Sequence, residues 1–358
     1  MNIDFLDKIC LRLKEVQAFN KKTVFSISTT AKIEPSSYLT PTRVFDEFVL
    51  TGCVIFDQKN LPSLLKKIDG QFDIILVDSE KKISLSMDNH SKNKKHLYNT
   101  AEHLESRTLS KTCFDHIKYS KIFEFKPNDL TVNATWCFLS QRFKFLSGKK
   151  VTILGAGNIG SKLALKLVEC GAEVHLHRRD FYKGQNIVKG LNLIKPKGAV
   201  ANIHFHRNLI ESTFLSDILI GASNGNQIIS VDVIHNVNKN CLVVDLGKNN
   251  LSKEAIKIAL ENSLEIYRTD VTASIEAYIY EALKMHDIIL NSYGKKYLGF
   301  CEIVSGGYFG QHGDIVVDSI NKPTKILGVA QGDGLFKQVL GAIDKNKIKK
   351  LKNSMNTQ

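Results

Sequence analysis

Residues Lys149–Asp180 read KKVTILGAGNIGSKLALKLVECGAEVHLHRRD. Val151–Leu154 is a short apolar run of the kind an inner parallel strand needs. Gly155, Gly157 and Gly160 follow in G-x-G-x-x-G spacing. The first glycine permits a tight turn, the second lets a pyrophosphate approach the backbone, and the third lets helix and strand pack closely. Ala156, Asn158 and Ile159 complete the turn and join the cofactor-binding set. The helical stretch SKLALKLVEC then aims its N-terminal amides at the phosphates. Gly171 stops that helix and AEVHLH begins a second strand. Three glycines alone are a weak signal, but set in strand–turn–helix–strand order they specify dinucleotide binding.

Working outward, further apolar runs recur at βα spacing: NIHFHRN, DILIGAS, CLVVDLG and LEIYRTD. Helical stretches ISVDVIHNV and SKEAIKIALEN separate the later ones. The pattern predicts an α/β fold with a doubly wound parallel sheet, the Rossmann arrangement, over about 149–270. A smaller N-terminal α/β domain is expected before it. Its signals are an amphipathic opening (Ile3, Leu6, Ile9, Leu13, Val16) and the strand-like TVFSIST, EFVLTGCVIF, FDIILVDS and SKIFEF. LPSLLKKIDG reads as a short helix closed by Gly70. From Glu80 to Lys121 the chain is polar and its structure is left open. Pro127 stops the last strand, and Asn128 or Asp129 is expected to cap a helix running to about Leu146. The expected domains are therefore 1–128, 129–292 (Rossmann domain with linking helices) and a Gly-rich C-terminal segment, 293–358.

Three segments, SGKKVTILGAGNIGS, SDILIGASNGNQIISVDVIHNV and CLVVDLGKNNLS, resemble the cofactor domain of the shikimate, methylenetetrahydrofolate and amino-acid dehydrogenase-like superfamily. The resemblance covers roughly residues 145–270. It implies that Ala222, Ser223 and Asn224 line the cofactor ribose and that Leu246 and Gly247 approach the nicotinamide. The catalytic Lys and the Asn-Thr-Asp pattern of shikimate dehydrogenases are not in place in the first 128 residues, so no substrate carries over.

NAD-preferring domains end the second strand in an acid that accepts bonds from the ribose hydroxyls. Here His177, Arg178 and Arg179 stand instead. A 2′-phosphate calls for cationic, planar donors, and guanidinium supplies them. Two of only eight arginines sit side by side at this point. NADP is the expected cofactor. The chain is read as an NAD(P)-dependent dehydrogenase or reductase, moving a hydride to or from a C=O or C=N group of a small polar metabolite. Two alternatives stand beside it. A ThiF-like adenylating enzyme also opens with Gly-x-Gly-x-x-Gly-Ser, but its acidic ribose position, Arg-Gln pair and Cys-x-x-Cys features are missing. A non-catalytic dinucleotide-binding sensor is the other.

Hydride transfer to a carbonyl or imine needs a proton donor beside the reacting carbon. Lys248, just after Asp245-Leu246-Gly247, lies at the carboxyl end of a strand, where open α/β sheets bind ligands. Asp129 is a candidate from the linking helix, with helix capping as its plainer role; Asp270 is expected to cap the helix after the sixth strand. VSGGYFGQHGDIVVDS is dense in glycine around Tyr308 and His312. Such a loop can fold over a ligand, with His312 as the first candidate donor.

Composition bounds the rest. At 358 residues, 43% of them hydrophobic, the chain can hold two domains and a sizeable core. It has no apolar run of about 18 residues, which speaks against a spanning helix, and charges interrupt its first residues, which speaks against a signal peptide. Seven scattered cysteines without Cys-x-x-Cys fit free thiols in the cytoplasm. The formal charge of +13 comes mostly from dispersed lysine, and no nucleic-acid module is recognisable. His175, His177, His204 and His206 alternate along strands without metal-ligand spacing, so no metal is expected. The expected partner is a small-molecule substrate, with no nucleic acid and no membrane; self-association as a homo-oligomer is left open. The tail DKNKIKKLKNSMNTQ reads as a frayed, solvated end.

Overall fold

The computed structural model describes residues 3–29, 36–56, 61–80, 109–223, 227–247 and 249–355. The chain divides into two units, 1–275 and 276–358.

The first unit opens with α1 (Ile3–Gln17) and a sheet made of β1 (Lys22–Ser28), β2 (Tyr38–Val44), β3 (Phe48–Val54), β4 (Ile74–Asp78) and β5 (Lys121–Phe125). Its strand order is β2-β3-β1-β4-β5, parallel except for β2. The sequence reading misses β2. Pro41 sits in that edge strand, at the register shift between Thr40 and Arg43, the position to which a residue lacking an amide proton is confined. Helices α2 (Leu61–Ile68) and α3 (Leu109–His116) join α1 on one face. Ile9, Leu64 and Cys113 meet Phe25, Ile27, Val49 and Val77 there in a closed apolar core.

From β5, α4 (Pro127–Arg142) leads into six strands: β6 (Lys150–Leu154), β7 (Glu173–His177), β8 (Ile203–His206), β9 (Ile218–Gly221), β10 (Leu242–Asp245) and β11 (Glu265–Arg268). All pair in parallel, in the order β11-β10-β9-β6-β7-β8. Counted from β6 this is the 3-2-1-4-5-6 order of a Rossmann sheet. Successive side chains take opposite faces. Ile218 and Ile220 join Leu163 and Leu167 of α5 (Asn158–Glu169) in one core, while Leu219 between them joins the other. The first core also takes α4 and α6 (Phe181–Ile194); α7 (Leu209–Thr213) follows β8. The second is built with α8 (Val231–Asn236) and α9 (Lys253–Glu261). A sheet buried on both faces is why these strands read as unbroken apolar runs.

The helix α6 has no counterpart in the sequence reading, because Gly184 and Gly190 weaken its helical signal. Gly184 is required by packing: a Cβ there would lie 2.1 Å from the Phe205 ring. Asp180 caps this helix, its Oδ1 accepting the Lys183 amide at 3.1 Å.

α10 (Thr272–Asn291) carries the chain into the second unit. There β12 (Lys295–Tyr297), β13 (Glu302–Ser305), β14 (Ile315–Val317) and β15 (Ile326–Val329) form a mixed four-stranded sheet. As far as Met355 the tail is not a frayed end: it forms α11 (Ala342–Met355), whose Leu351 is fully buried against Ile303, Ile315 and Val317, and the last three residues of that reading lie outside the described residues. Asp344 of this helix is 8% exposed at its side chain and pairs with Lys337 at 3.0 Å. Among the described residues no helix is long and apolar enough to cross a membrane.

Candidate functional site

The carboxyl ends of the central strands lie in one row. Leu154 is in register with His177 on one side and Gly221 on the other, and Gly221 with Asp245. The ladder runs one residue further, with Gly155 N donating to His177 O at 3.0 Å and Ala222 N to Leu154 O at 2.9 Å. The turn residues therefore start from a rigid edge.

The three glycines of the turn play different parts. Gly155 has φ of +125°, and a Cβ on it would lie 2.5 Å from the Ala222 carbonyl oxygen. A Cβ on Gly160 would lie 1.9 Å from the Gly155 carbonyl oxygen, so the first turn of α5 packs directly onto the loop. Around Gly157, by contrast, a Cβ would meet no described atom within 4 Å. The space next to this residue and the free amides at the start of α5, where Asn158 and Ile159 sit, form a cradle that suits a pyrophosphate. A cavity of about 380 Å³ opens here, lined by Gly155, Ala156, Gly157, His177, Arg178, Arg179, Ala222 and Ser223, with Asp180 and Ile228 in addition.

The cationic turn also divides its labour. Arg178 folds back, its Nη1 donating to the Ala156 carbonyl at 2.5 Å. Arg179 is exposed and makes no ion pair among the described residues. Asp180, the next residue along and part of the same cavity lining, is engaged as the cap of α6. His177 is buried, with Nδ1 3.1 Å from the His206 carbonyl oxygen. Burial holds its pKa below the ordinary histidine value, so it is neutral at pH 7 and the positive charge belongs to the arginines. Behind it, His175 Nδ1 lies 2.7 Å from His206 Nε2, and its ring stacks on both His204 and His206. Among the described residues no group of three His, Cys, Asp or Glu side chains is placed to hold a metal.

Across the row, the ends of β9 and β10 are tied by a residue that sequence reasoning missed. Asn250 is fully buried. Its Oδ1 accepts from Ser223 N at 3.1 Å and from Ser223 Oγ at 2.5 Å. Its Nδ2 donates to the Gly221 carbonyl at 3.2 Å and to Asp245 Oδ1 at 2.6 Å. Asp245 Oδ1 in turn accepts the Gly247 amide at 3.1 Å. The only signal in the sequence is a polar Lys-Asn-Asn run that reads as an ordinary turn. Leu246 and Gly247 stand in this bracket beside Ala222 and Ser223, while Asn224 and Lys248 lie outside the described residues.

Of the candidate proton donors, Asp129 lies in the first unit and His312 in the second. Asp129 does not cap α4: the helix begins at Pro127, Lys126 occupies the cap, and no side chain bonds there. Asp129 in the first turn accepts instead from Lys162 Nζ of α5. The Asn128 amide is taken by Glu80 Oε2 at 3.1 Å. Asp270 lies one residue ahead of the cap position of α10, which Val271 holds, and accepts from Thr272 N at 2.9 Å and Oγ1 at 2.6 Å. The Thr272 hydroxyl and amide hold its carboxyl below the usual carboxylate range, and Arg43 of β2 adds to this. His312 belongs to the second unit, where its Nδ1 lies 3.0 Å from the Gln331 carbonyl oxygen. It lines an open cavity of about 710 Å³ there with Lys337 and Asp344.

No family model matches the chain, and no curated protein matches it. Solved structures do show likeness. A dipicolinate synthase polypeptide from Bacillus halodurans is 15% identical over 69% of this chain and 89% of its own, with a TM-score of 0.34. A dipicolinate synthase polypeptide from Bacillus subtilis is 15% identical over 74% and 96%, with a TM-score of 0.35. A shikimate dehydrogenase in complex with NADP+ is 13% identical over 70% and 85%, with a TM-score of 0.38.

Proposed function

We propose that the protein is an NADP-dependent oxidoreductase acting on a C=O or C=N group of a small polar metabolite. The observation that carries this reading is the pair Arg178 and Arg179 at the mouth of the glycine cradle. The first is anchored on the turn, and the second has no ion-pair partner among the described residues. A 2′-phosphate would meet two guanidinium groups there, and the adjoining Asp180 is already engaged as a helix cap. The cradle fits the rest of the cofactor: open space at Gly157, free amides at the start of α5, and a cavity bounded by Ala222 and Ser223.

When bound, the nicotinamide supplies the hydride; the chain must orient it and provide a proton. Residues 129–292 are assigned to the cofactor and residues 1–128 to the substrate. The proton donor is assigned among His312, Lys248 and Asp129, and alanine variants of the three separate them, since general acid catalysis contributes about 10²–10⁴-fold in rate. Calorimetric titration with NADPH and NADH tests the cofactor, and loss of NADPH absorbance with a panel of carbonyl compounds tests the chemistry. Binding without turnover across the panel would favour a dinucleotide sensor.

A further inference from the structure

We infer that Asn250 is a positioning residue for the nicotinamide half of the cofactor, an assignment that rests on the NADP reading above. An asparagine side chain offers two donor hydrogens and an acceptor oxygen with two lone pairs. Here all four are used, and each partner lies at or just beyond the carboxyl end of β9 or β10. The oxygen takes both the amide and the hydroxyl of Ser223 after β9; the nitrogen holds the Gly221 carbonyl and the Asp245 carboxylate at the end of β10. Through Asp245 the same network fixes the Gly247 amide.

The two loops are also zipped by their backbones. Gln227 N donates to Asn249 O at 3.0 Å and Ile229 N to Asn250 O at 2.8 Å. Packing leaves no slack. A Cβ on Gly221 would lie 2.7 Å from the Asn250 Cβ, and one on Gly247 would lie 2.5 Å from the Ser223 carbonyl oxygen. These glycines let two strand ends close on a single buried amide. A buried polar network with every member satisfied specifies one geometry, and inverting one donor leaves a like-with-like contact. Asn250→Asp keeps the shape but sets an oxygen against both Asp245 Oδ1 and the Gly221 carbonyl. The bracket around Ser223 and Gly247 must then open.

Arg178, anchored on the Ala156 carbonyl of the turn after β6, and the exposed Arg179 are the groups assigned to the 2′-phosphate, and neither is among the hydrogen-bond partners of Asn250. A loss confined to the nicotinamide half distinguishes a positioning role from general structural damage.

The experiment compares wild type and Asn250→Asp in calorimetric titrations with NADPH and with 2′,5′-ADP, which carries the 2′-phosphate but no nicotinamide. Emission of the bound nicotinamide ring is read alongside. The expected result is a loss of NADPH affinity of about tenfold or more, loss of the nicotinamide emission change, and 2′,5′-ADP affinity within about twofold of wild type. Parallel losses for both ligands, or no loss for either, would overturn the assignment. Should Asn250→Asp fail to fold, Ser223→Ala removes only the hydroxyl bond and is expected to show a smaller loss confined to NADPH; an equal loss for 2′,5′-ADP, or none for NADPH, would also overturn it. Wild type that binds neither ligand would refute the NADP reading itself, and the assignment with it. Wild type that binds 2′,5′-ADP as tightly as NADPH would refute only the nicotinamide bracket.

Discussion

Replacing Gly157 and Gly160 separately should divide cofactor binding from folding. Gly157 has φ −93° and ψ −164°, a conformation any residue adopts, and its missing Cβ would meet no described atom within 4 Å. Gly157→Val should therefore leave the melting temperature of the free protein nearly unchanged. It would fill the cradle, and a pyrophosphate held off the amides loses two or more charge-assisted bonds of about 1.5–3 kcal/mol each. The expected weakening of NADPH binding is at least about a hundredfold. At Gly160 the Cβ would sit 1.9 Å from a backbone oxygen that no side-chain rotation can move. Gly160→Ala should destabilise by about 3 kcal/mol or more, in the upper range for overpacking, visible as a lowered midpoint in urea. Calorimetry and urea unfolding on both variants read the two outcomes. The reasoning is refuted if Gly157→Val binds NADPH normally, or if Gly160→Ala is as stable as wild type.

Other expectations follow from the same geometry. Removing both Arg178 and Arg179 as alanine should weaken NADPH at least about tenfold while leaving NADH nearly unchanged; equal losses in titrations would assign the arginines to stability instead. Burial, reinforced by Lys150, His206 and His204, lowers the His175 pKa from 6.5 to about 3. The unfolded chain therefore binds a proton between pH 6 and pH 4 that the folded chain refuses, and each such histidine lowers stability by about 1.4 kcal/mol per pH unit on acidification. Urea midpoints across that range should fall less steeply for His175→Gln than for wild type; identical slopes would contradict the assignment. Asp344→Ala strands the largely buried Lys337 ammonium, and breaking such a pair costs about 3–5 kcal/mol. Hydrogen exchange should then accelerate across 295–355, and unchanged protection would show that α11 is not part of the fold.

The Rossmann sheet was legible because its signals are local. The glycine spacing, the apolar run Val151–Leu154 and the arginines after β7 each report on residues a few positions apart. The N-terminal sheet was legible for the same reason, except for β2, where Pro41 suppresses the strand pattern. The rest depends on contacts that spacing does not encode. Asp129 looks like a cap because it follows Pro127, yet its partner, Lys162, is 33 residues away. Asn250 looks like turn polarity until β9 and β10 are brought side by side. The tail looks solvated because lysines 345, 347, 349, 350 and 352 outnumber its few apolar anchors, and Leu351 acquires meaning only against Ile303 and Ile315. The strands of the second unit are only three or four residues long, too short for alternation to be read. Its glycines serve turns within that sheet: Gly310, for instance, packs a would-be Cβ 2.9 Å from Val304.

Arginines assigned to a 2′-phosphate beside the cradle after β6 should separate nucleotides that carry that group from those that lack it. A calorimetric comparison of NADPH, NADH and ATP on the purified full chain at low salt reads this directly. The expected result is binding of NADPH, at least about tenfold weaker binding of NADH, and little or none of ATP. NADH binding as tightly as NADPH, or ATP binding more tightly than either, would contradict it.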